Sequence, residues 1–196
     1  MATVSPIGDV KNLTLITGGA RSGKSAFAES LANRIGGQVL YIATMEEIVD
    51  DKEAVERIKR HRERRPISWK TVEVPFDVHE EIVKIPKGTT VCLIDCLSLY
   101  VSNMLLALNE KSESAKDLED PIQESAAKLL TAIKVRKEIH FVVVTNEVGW
   151  GIVPEHQLAR SYRDLLGVVN QQFAHSASEV WLSCVGLQVK LKPTLS

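Results

Sequence analysis

The stretch "LTLITGGARSGKSAFAESLA" constrains this chain more than any other. It places Gly18-x4-Gly23-Lys24-Ser25 between an apolar, β-branched run and an amphipathic helical pattern. That is P-loop spacing in P-loop context, with a strand entering and a helix leaving. Each residue type has a physical task. Gly18, Gly19 and Gly23 let the backbone wrap so that successive N–H groups point inward at phosphate, and Ala20, Arg21 and Ser22 complete the loop. The helix opening near Lys24 adds its positive dipole end. Lys24 brings a charge to the β/γ-phosphates, and the Ser25 hydroxyl is placed to bind Mg²⁺. A glycine-rich turn with a chance lysine would explain the spacing but not the flanks. The motif predicts a nucleoside triphosphate bound with Mg²⁺.

Strand-like runs recur on both sides of this motif. Residues 13–17, 38–44, 69–74, 90–95, 140–145, 179–184 and 187–191 read as strands, several apolar nearly throughout, as expected when both faces are covered. Helical patterns fill 24–35, 51–64, 97–109, 119–136 and 155–175. The alternation predicts an α/β fold of the P-loop NTPase type, RecA-like, with a mostly parallel central sheet and helices on both faces. Only "VG" separates the last two strands, which predicts an antiparallel hairpin at one edge. The polar stretch 109–120 reads as a connection between helices. A single nucleotide-binding domain over 1–196 is expected, with 1–11 as a flexible N-terminal extension.

Composition limits the partners. With 24 basic and 25 acidic residues, nothing global favours nucleic acid or a membrane surface. Cys92, Cys96 and Cys184 have neither zinc-finger spacing nor a disulfide scaffold's even count, and Cys92 and Cys96 read as small buried residues. The N-terminus lacks signal-peptide character and no apolar run is long enough to cross a bilayer. A soluble, cytoplasmic protein is expected.

Two further features bear on chemistry. Asp95 ends a hydrophobic strand, where the carboxylate that partners a P-loop magnesium belongs, although an acidic residue there can also be a helix cap. "RIKRHRERRP" gathers six cationic side chains around His61. On a helix, Arg57, His61 and Arg64 share a face at i, i+4 and i+7, with Arg60 and Arg65 flanking. Nearby cations keep an imidazole neutral and nucleophilic, and the same cations would bind triphosphate oxygens and stabilise a departing pyrophosphate. The competing account is a histidine on a solvated basic helix. His79, His140, His156 and His175 read as structural or exposed.

"ITGGARSGKS", "VLYIAT", "RIKRHRERRP" with "WKTVEVP", and the block from "VTNEVGWGIVPE" to "SEVWLSCVGLQVKLK" together resemble the bifunctional adenosylcobinamide kinase / adenosylcobinamide-phosphate guanylyltransferase family of cobalamin assembly. The resemblance spans residues 13 to 192 with the motifs in family order. It implies phosphorylation of adenosylcobinamide by ATP or GTP. It then implies attack of a histidine on the α-phosphorus of GTP and transfer of GMP to the cobinamide phosphate. The matching histidine is His61. The resemblance also implies nucleotide contacts from Thr44, Met45 and Glu46, from Arg62, Glu63, Arg64 and Arg65, and from Glu73, whose carboxylate would suit a guanine edge. Asp95 stands where relatives can carry glutamate. A homotrimer and a corrinoid substrate are implied as well. From the residues themselves, Glu147 could accept a proton from the cobinamide hydroxyl or simply shape a turn. Leu158, Tyr162, Leu165, Val169 and Phe173 form a core stripe, while Arg160, Arg163, Gly167 and Asn170 form another face suited to a second chain or a ligand. A plain P-loop kinase and an ATP-driven nucleic-acid module are the alternatives; the first leaves His61 idle, and the second fits poorly with a nearly neutral chain.

Overall fold

The structure, a computed structural model, describes residues 8–45, 65–110 and 118–192. Seven strands form one sheet: β1 Val10–Gly18, β2 Gln38–Ala43, β3 Lys70–Glu73, β4 Thr89–Asp95, β5 His140–Val144, β6 Ala177–Cys184 and β7 Leu187–Lys192. Their order across the sheet is β3-β2-β4-β5-β1-β6-β7. Every neighbouring pair is parallel except β6 and β7, which make the expected antiparallel edge hairpin. The described residues include five helices: α1 Lys24–Ile35, α2 Val78–Lys84, α3 Leu97–Asn109, α4 Glu119–Val135 and α5 Gln157–Ser176.

Alternation along each apolar strand sorts the side chains between two cores. Leu13, Leu15, Leu40, Ile42, Cys92, Ile94, Phe141 and Val143 pack under α2, α3, α4 and α5. Ile16, Val39, Tyr41, Val91, Leu93, Val142 and Val144 pack on the other face with Ala28 and Ala32 of α1. Helices therefore lie on both faces, but unevenly. The stripe read on α5 is a core stripe: Leu165, Val169 and Phe173 are buried, and Leu158 and Tyr162 pack partly against them. Burying each such side chain stabilises the fold by about 1.5–3 kcal/mol.

Some local readings change. β1 begins at Val10, so Val10 and Lys11 are strand and not part of a flexible extension. Val10 is buried and pairs with Ala177, and the Asn12 amide donates to Arg136 O at 2.9 Å and Ile139 O at 2.6 Å. Helix α2 is absent from the helical patterns read from the sequence, because seven residues are too few to display a helical period. Its C-terminal carbonyls are gathered by Arg136, which donates to Ile82 O at 2.6 Å and Ile85 O at 3.1 Å, a cation where a helix end favours one. Cys92 and Cys96 are buried as read, and Cys184 is exposed. His140 sits 3.0 Å from Thr14 Oγ1, a structural contact, and burial lowers its pKa. The helix read at 51–64 lies outside the described residues, as do residues 111–117 of the connection read at 109–120.

Candidate active site

The carboxyl ends of the parallel strands form the edge where α/β sheets hold ligands. The P-loop leaves β1 at this edge. Gly18 has φ 145 and Gly23 φ 97, both conformations that a side chain disfavours. Arg21 adopts φ 56, so the loop carries a further left-handed residue between them. Lys24 is 7% exposed, and its Nζ donates to Gly19 O at 2.6 Å, which keeps the ammonium at the loop. Ser25, in the first turn of α1, is half-buried, and the buried Ser22 Oγ has no hydrogen-bond partner within the protein.

The loop is braced from two sides. Glu147 N donates to Gly18 O at 3.0 Å, and Gly186 N, in the β6–β7 turn, donates to Ser22 O at 3.0 Å. The C-terminal hairpin thus holds the cradle's outer wall.

Strand register places the acidic residues. Ala43 of β2 is in register with Glu73 of β3 on one side and Asp95 of β4 on the other. Asp95 is in register with Val144, and Val144 with Ile16. Parallel partners in one row point to one face, so Glu73 and Asp95 share the face that α1 covers. Asp95 therefore stands two strands from the P-loop strand, at the same edge and on the same side.

Tyr41, two residues before Ala43, belongs to this face too. Its hydroxyl donates to Asp95 Oδ2 at 2.7 Å. The Arg65 guanidinium carbon lies 3.3 Å from the centre of the Tyr41 ring. Sequence reading took Tyr41 only as part of a strand. The available signal was a phenol within an apolar run, since a buried tyrosine hydroxyl requires a partner.

Thr44 is 0% exposed, and its groups are engaged inside the protein. Its N–H donates to Asp95 O at 3.2 Å, and its hydroxyl donates to Cys96 O at 2.7 Å and receives Cys96 N–H at 2.9 Å. Asn103 donates to Thr44 O at 2.8 Å. The side chain read as a nucleotide contact is here a clasp between the ends of β2 and β4. Met45 beside it is half-buried, and Glu73 is exposed. Glu46, His61, Arg62, Glu63 and Arg64 lie outside the described residues.

The segment after β5 is fastened to α5. Thr145 Oγ1 donates to Asn170 Oδ1 at 2.7 Å, and the Asn170 amide donates to Asn146 O at 2.9 Å. Arg160 donates to Pro154 O and Glu155 O. Glu147 Oε1 accepts from Gly149 N at 2.6 Å, which favours the turn-shaping role. Asn170 and Arg160, read as a face for another chain or ligand, are largely occupied with this loop. Arg163 pairs with Asp164 at 3.1 Å, and a Cβ on Gly167 would meet nothing within 4 Å.

The donor set suits magnesium. Ser25 and Asp95 offer a hydroxyl and a carboxylate, hard oxygen ligands of the kind Mg²⁺ takes alongside water and phosphate. No group of three or more His, Cys, Asp or Glu that could cage a metal occurs among the described residues.

Comparison with known proteins follows this geometry. Residues 14–191 match the family model described as cobinamide kinase / cobinamide phosphate guanyltransferase. The chain is 44% identical to the bifunctional adenosylcobalamin biosynthesis protein CobU of Escherichia coli K12, over 92% of this chain and 99% of that protein. Identity is 41% to CobU of Salmonella typhimurium LT2, with the same coverage. It is 35% to the bifunctional adenosylcobalamin biosynthesis protein CobP of Pseudomonas aeruginosa PAO1, over 91% and 96%. Among solved structures, an ATPase from a type III secretion system of pathogenic bacteria aligns with TM-score 0.55 at 10% identity, covering 92% of this chain and 57% of that one. The PH0250 protein of Pyrococcus horikoshii OT3 aligns with TM-score 0.55 at 8% identity, covering 94% and 88%. At such identities these two speak to the fold alone.

Proposed function

The chain belongs to the cobinamide kinase / cobinamide phosphate guanyltransferase family, and from that premise we propose that it runs both reactions on a corrinoid, adenosylcobinamide and then its phosphate, using ATP and GTP. In the first, the substrate's hydroxyl oxygen attacks the γ-phosphorus. The bond to the β-bridging oxygen breaks, the nucleoside diphosphate leaves, and the hydroxyl proton goes to solvent. The P-loop N–H groups and Lys24 hold the phosphates and meet the charge that develops on them. Ser25 and Asp95 would hold Mg²⁺, which would supply positive charge to offset what develops on the phosphates.

In the second reaction an imidazole nitrogen of His61 attacks the α-phosphorus of GTP. Pyrophosphate leaves and GMP stays on the histidine as a phosphoramidate. A phosphate oxygen of the corrinoid then displaces the histidine, giving adenosylcobinamide-GDP. Arg62, Arg64 and Arg65 supply cations for the phosphate oxygens, and Glu63, Met45, Glu46 and Glu73 line the nucleotide. The observation that carries this reading is convergence at one sheet edge. Asp95 and Arg65, four residues past His61, meet through Tyr41 at the edge where the P-loop leaves β1.

The test is to incubate the protein with Mg²⁺ and GTP labelled at either the α- or the γ-phosphate, then denature it. Retained α-label, labile to acid and stable to alkali, with no retained γ-label, is the expected result. Protein that binds GTP yet retains nothing is a P-loop kinase only.

We further place the enzyme in the cytoplasm as a single domain that assembles as a homotrimer. No described helix is long and apolar enough to cross a membrane. Leu187, Val189 and Leu191 leave an apolar stripe exposed on edge strand β7, more than such a strand normally shows to water. Sedimentation equilibrium should give three times the chain mass for the native protein. Val189→Lys should lower it toward one, and a monomer in both would remove the proposal.

A further inference from the structure

The turn between β6 and β7 combines strain with exposure. Cys184 and Leu187 form the last pair of the hairpin, leaving Val185 and Gly186 as a two-residue loop. Both have positive φ, 48 at Val185 and 84 at Gly186, as a type I′ turn requires. Asn-Gly is the pair such a turn favours, and a β-branched residue at positive φ is an outlier. Packing within the protein does not offset that conformation, because Val185 is 84% exposed. Strain of this kind clusters at ligand sites and persists only where the surrounding structure holds it.

The surroundings do hold it. Ser183 pairs with Gly18 at the foot of the phosphate loop, and its hydroxyl donates to Gln188 Oε1 across the hairpin. Gly186 N donates to Ser22 O at 3.0 Å. A Cβ on Gly23 would lie 3.4 Å from Gly186 Cα and 3.8 Å from Gln188 Nε2, so the turn stands against the end of the loop from which α1 departs. Sheet order supplies a direction. Asp95 ends β4, two strands from β1 on one side, while β6 and β7 lie on the other. A triphosphate held in the loop with its γ end toward Asp95 has its nucleoside end directed away from β4, toward the hairpin.

We propose that the Val185–Gly186 turn is the nucleoside subsite of the kinase step, with the Val185 side chain held out at the rim of the phosphate loop to pack against the base and ribose of the nucleoside triphosphate. A purine presents a flat apolar face, and an apolar wall suits it better than charge does. Because the turn is bonded to the phosphate loop, the wall keeps a constant distance from the phosphates. This rests on the P-loop and Asp95 serving the kinase, as proposed above.

The test separates nucleoside from phosphate. Calorimetric titration of the full-length protein with Mg²⁺ uses two ligands, β,γ-imido-ATP and inorganic tripolyphosphate, which has no nucleoside. Val185→Asn suits the positive φ, so the melting temperature should rise by about 2–4 °C while the apolar contact is lost. The variant should bind imido-ATP roughly tenfold more weakly, the effect of one buried apolar side chain, and tripolyphosphate within about twofold of the native protein. Unchanged affinity for imido-ATP overturns the proposal. So does equal weakening of both ligands, since the turn would then act only on the phosphate loop. A fall in sedimenting mass with imido-ATP affinity unchanged assigns Val185 to a second copy of the chain and overturns it too. Should Val185→Asn fail to fold, Val185→Gly, which also accepts the positive φ, must give the same split between the ligands. Native protein that binds neither ligand removes the P-loop reading itself, and the subsite with it.

Discussion

His61→Ala should retain no guanylyl label and lose GMP transfer by roughly 10⁴-fold or more, as expected when the nucleophile of a covalent route is deleted. Phosphorylation of cobinamide should persist in the same variant. The reason lies in how the two chemistries divide the molecule. In the proposed division, the kinase step draws on Gly18 to Ser25 and on Asp95, all within β1, α1 and β4 or the turn between β1 and α1. The histidine belongs to a separate segment between β2 and β3. Removing an imidazole there takes away a bond-forming atom that no neighbouring arginine can replace, since a guanidinium remains protonated and non-nucleophilic. Paired assays for corrinoid phosphorylation and for GMP transfer check the result. Equal loss of both would mean that His61 supports the shared nucleotide site and is not the nucleophile.

Gly18→Ala should abolish nucleotide binding and destabilise the chain by about 3 kcal/mol or more, the sum of a forbidden backbone conformation and a clash. A Cβ at Gly18 would lie 2.2 Å from Ser183 O and 3.1 Å from Ser183 C, both backbone atoms of β6. It would also approach Ser22 Oγ at 3.0 Å. Side chains can rotate away from an intruder, but a strand carbonyl in register with Gly18 cannot. Relief would have to part β1 from β6 at the point where the phosphate loop begins. Thermal denaturation with and without GTP reads both consequences. A variant that melts normally and is still shifted upward by GTP would show that the loop can be rebuilt around the added methyl group.

The sequence's legibility followed the length scale of each signal. The seven strands were found because the central ones are apolar nearly throughout and the edge strand β7 alternates apolar and polar residues, and the P-loop because its spacing and flanks agree. Boundaries were poorer: β1 extends back to Val10 because of its pairing with β6, a contact that no local pattern carries. Helix α2 was too short to show a period. Within the site, Asp95 ends β4 as read, whereas the clasp between the Thr44 hydroxyl and Cys96 was not legible. A threonine beside a strand end looks the same in sequence whichever partner it faces. Tyr41 was missed for the opposite reason, since its partners Asp95 and Arg65 come from distant parts of the chain. Residue type announces that a polar atom needs satisfying; only the fold says by whom.

The brace between Ser22 and Gly186 also dictates when the protein can become an enzyme. β1 carries the phosphate loop near the start of the chain, yet its two neighbours in the sheet, β5 and β6, are made long after it. A ribosome-bound chain that ends before β6 possesses every residue of the loop but lacks one of its two flanking strands and its outer support. Because contacts so remote in sequence close slowly, the loop that is written first is completed last, and a nascent chain gains its grip on nucleotide only as its final hairpin folds.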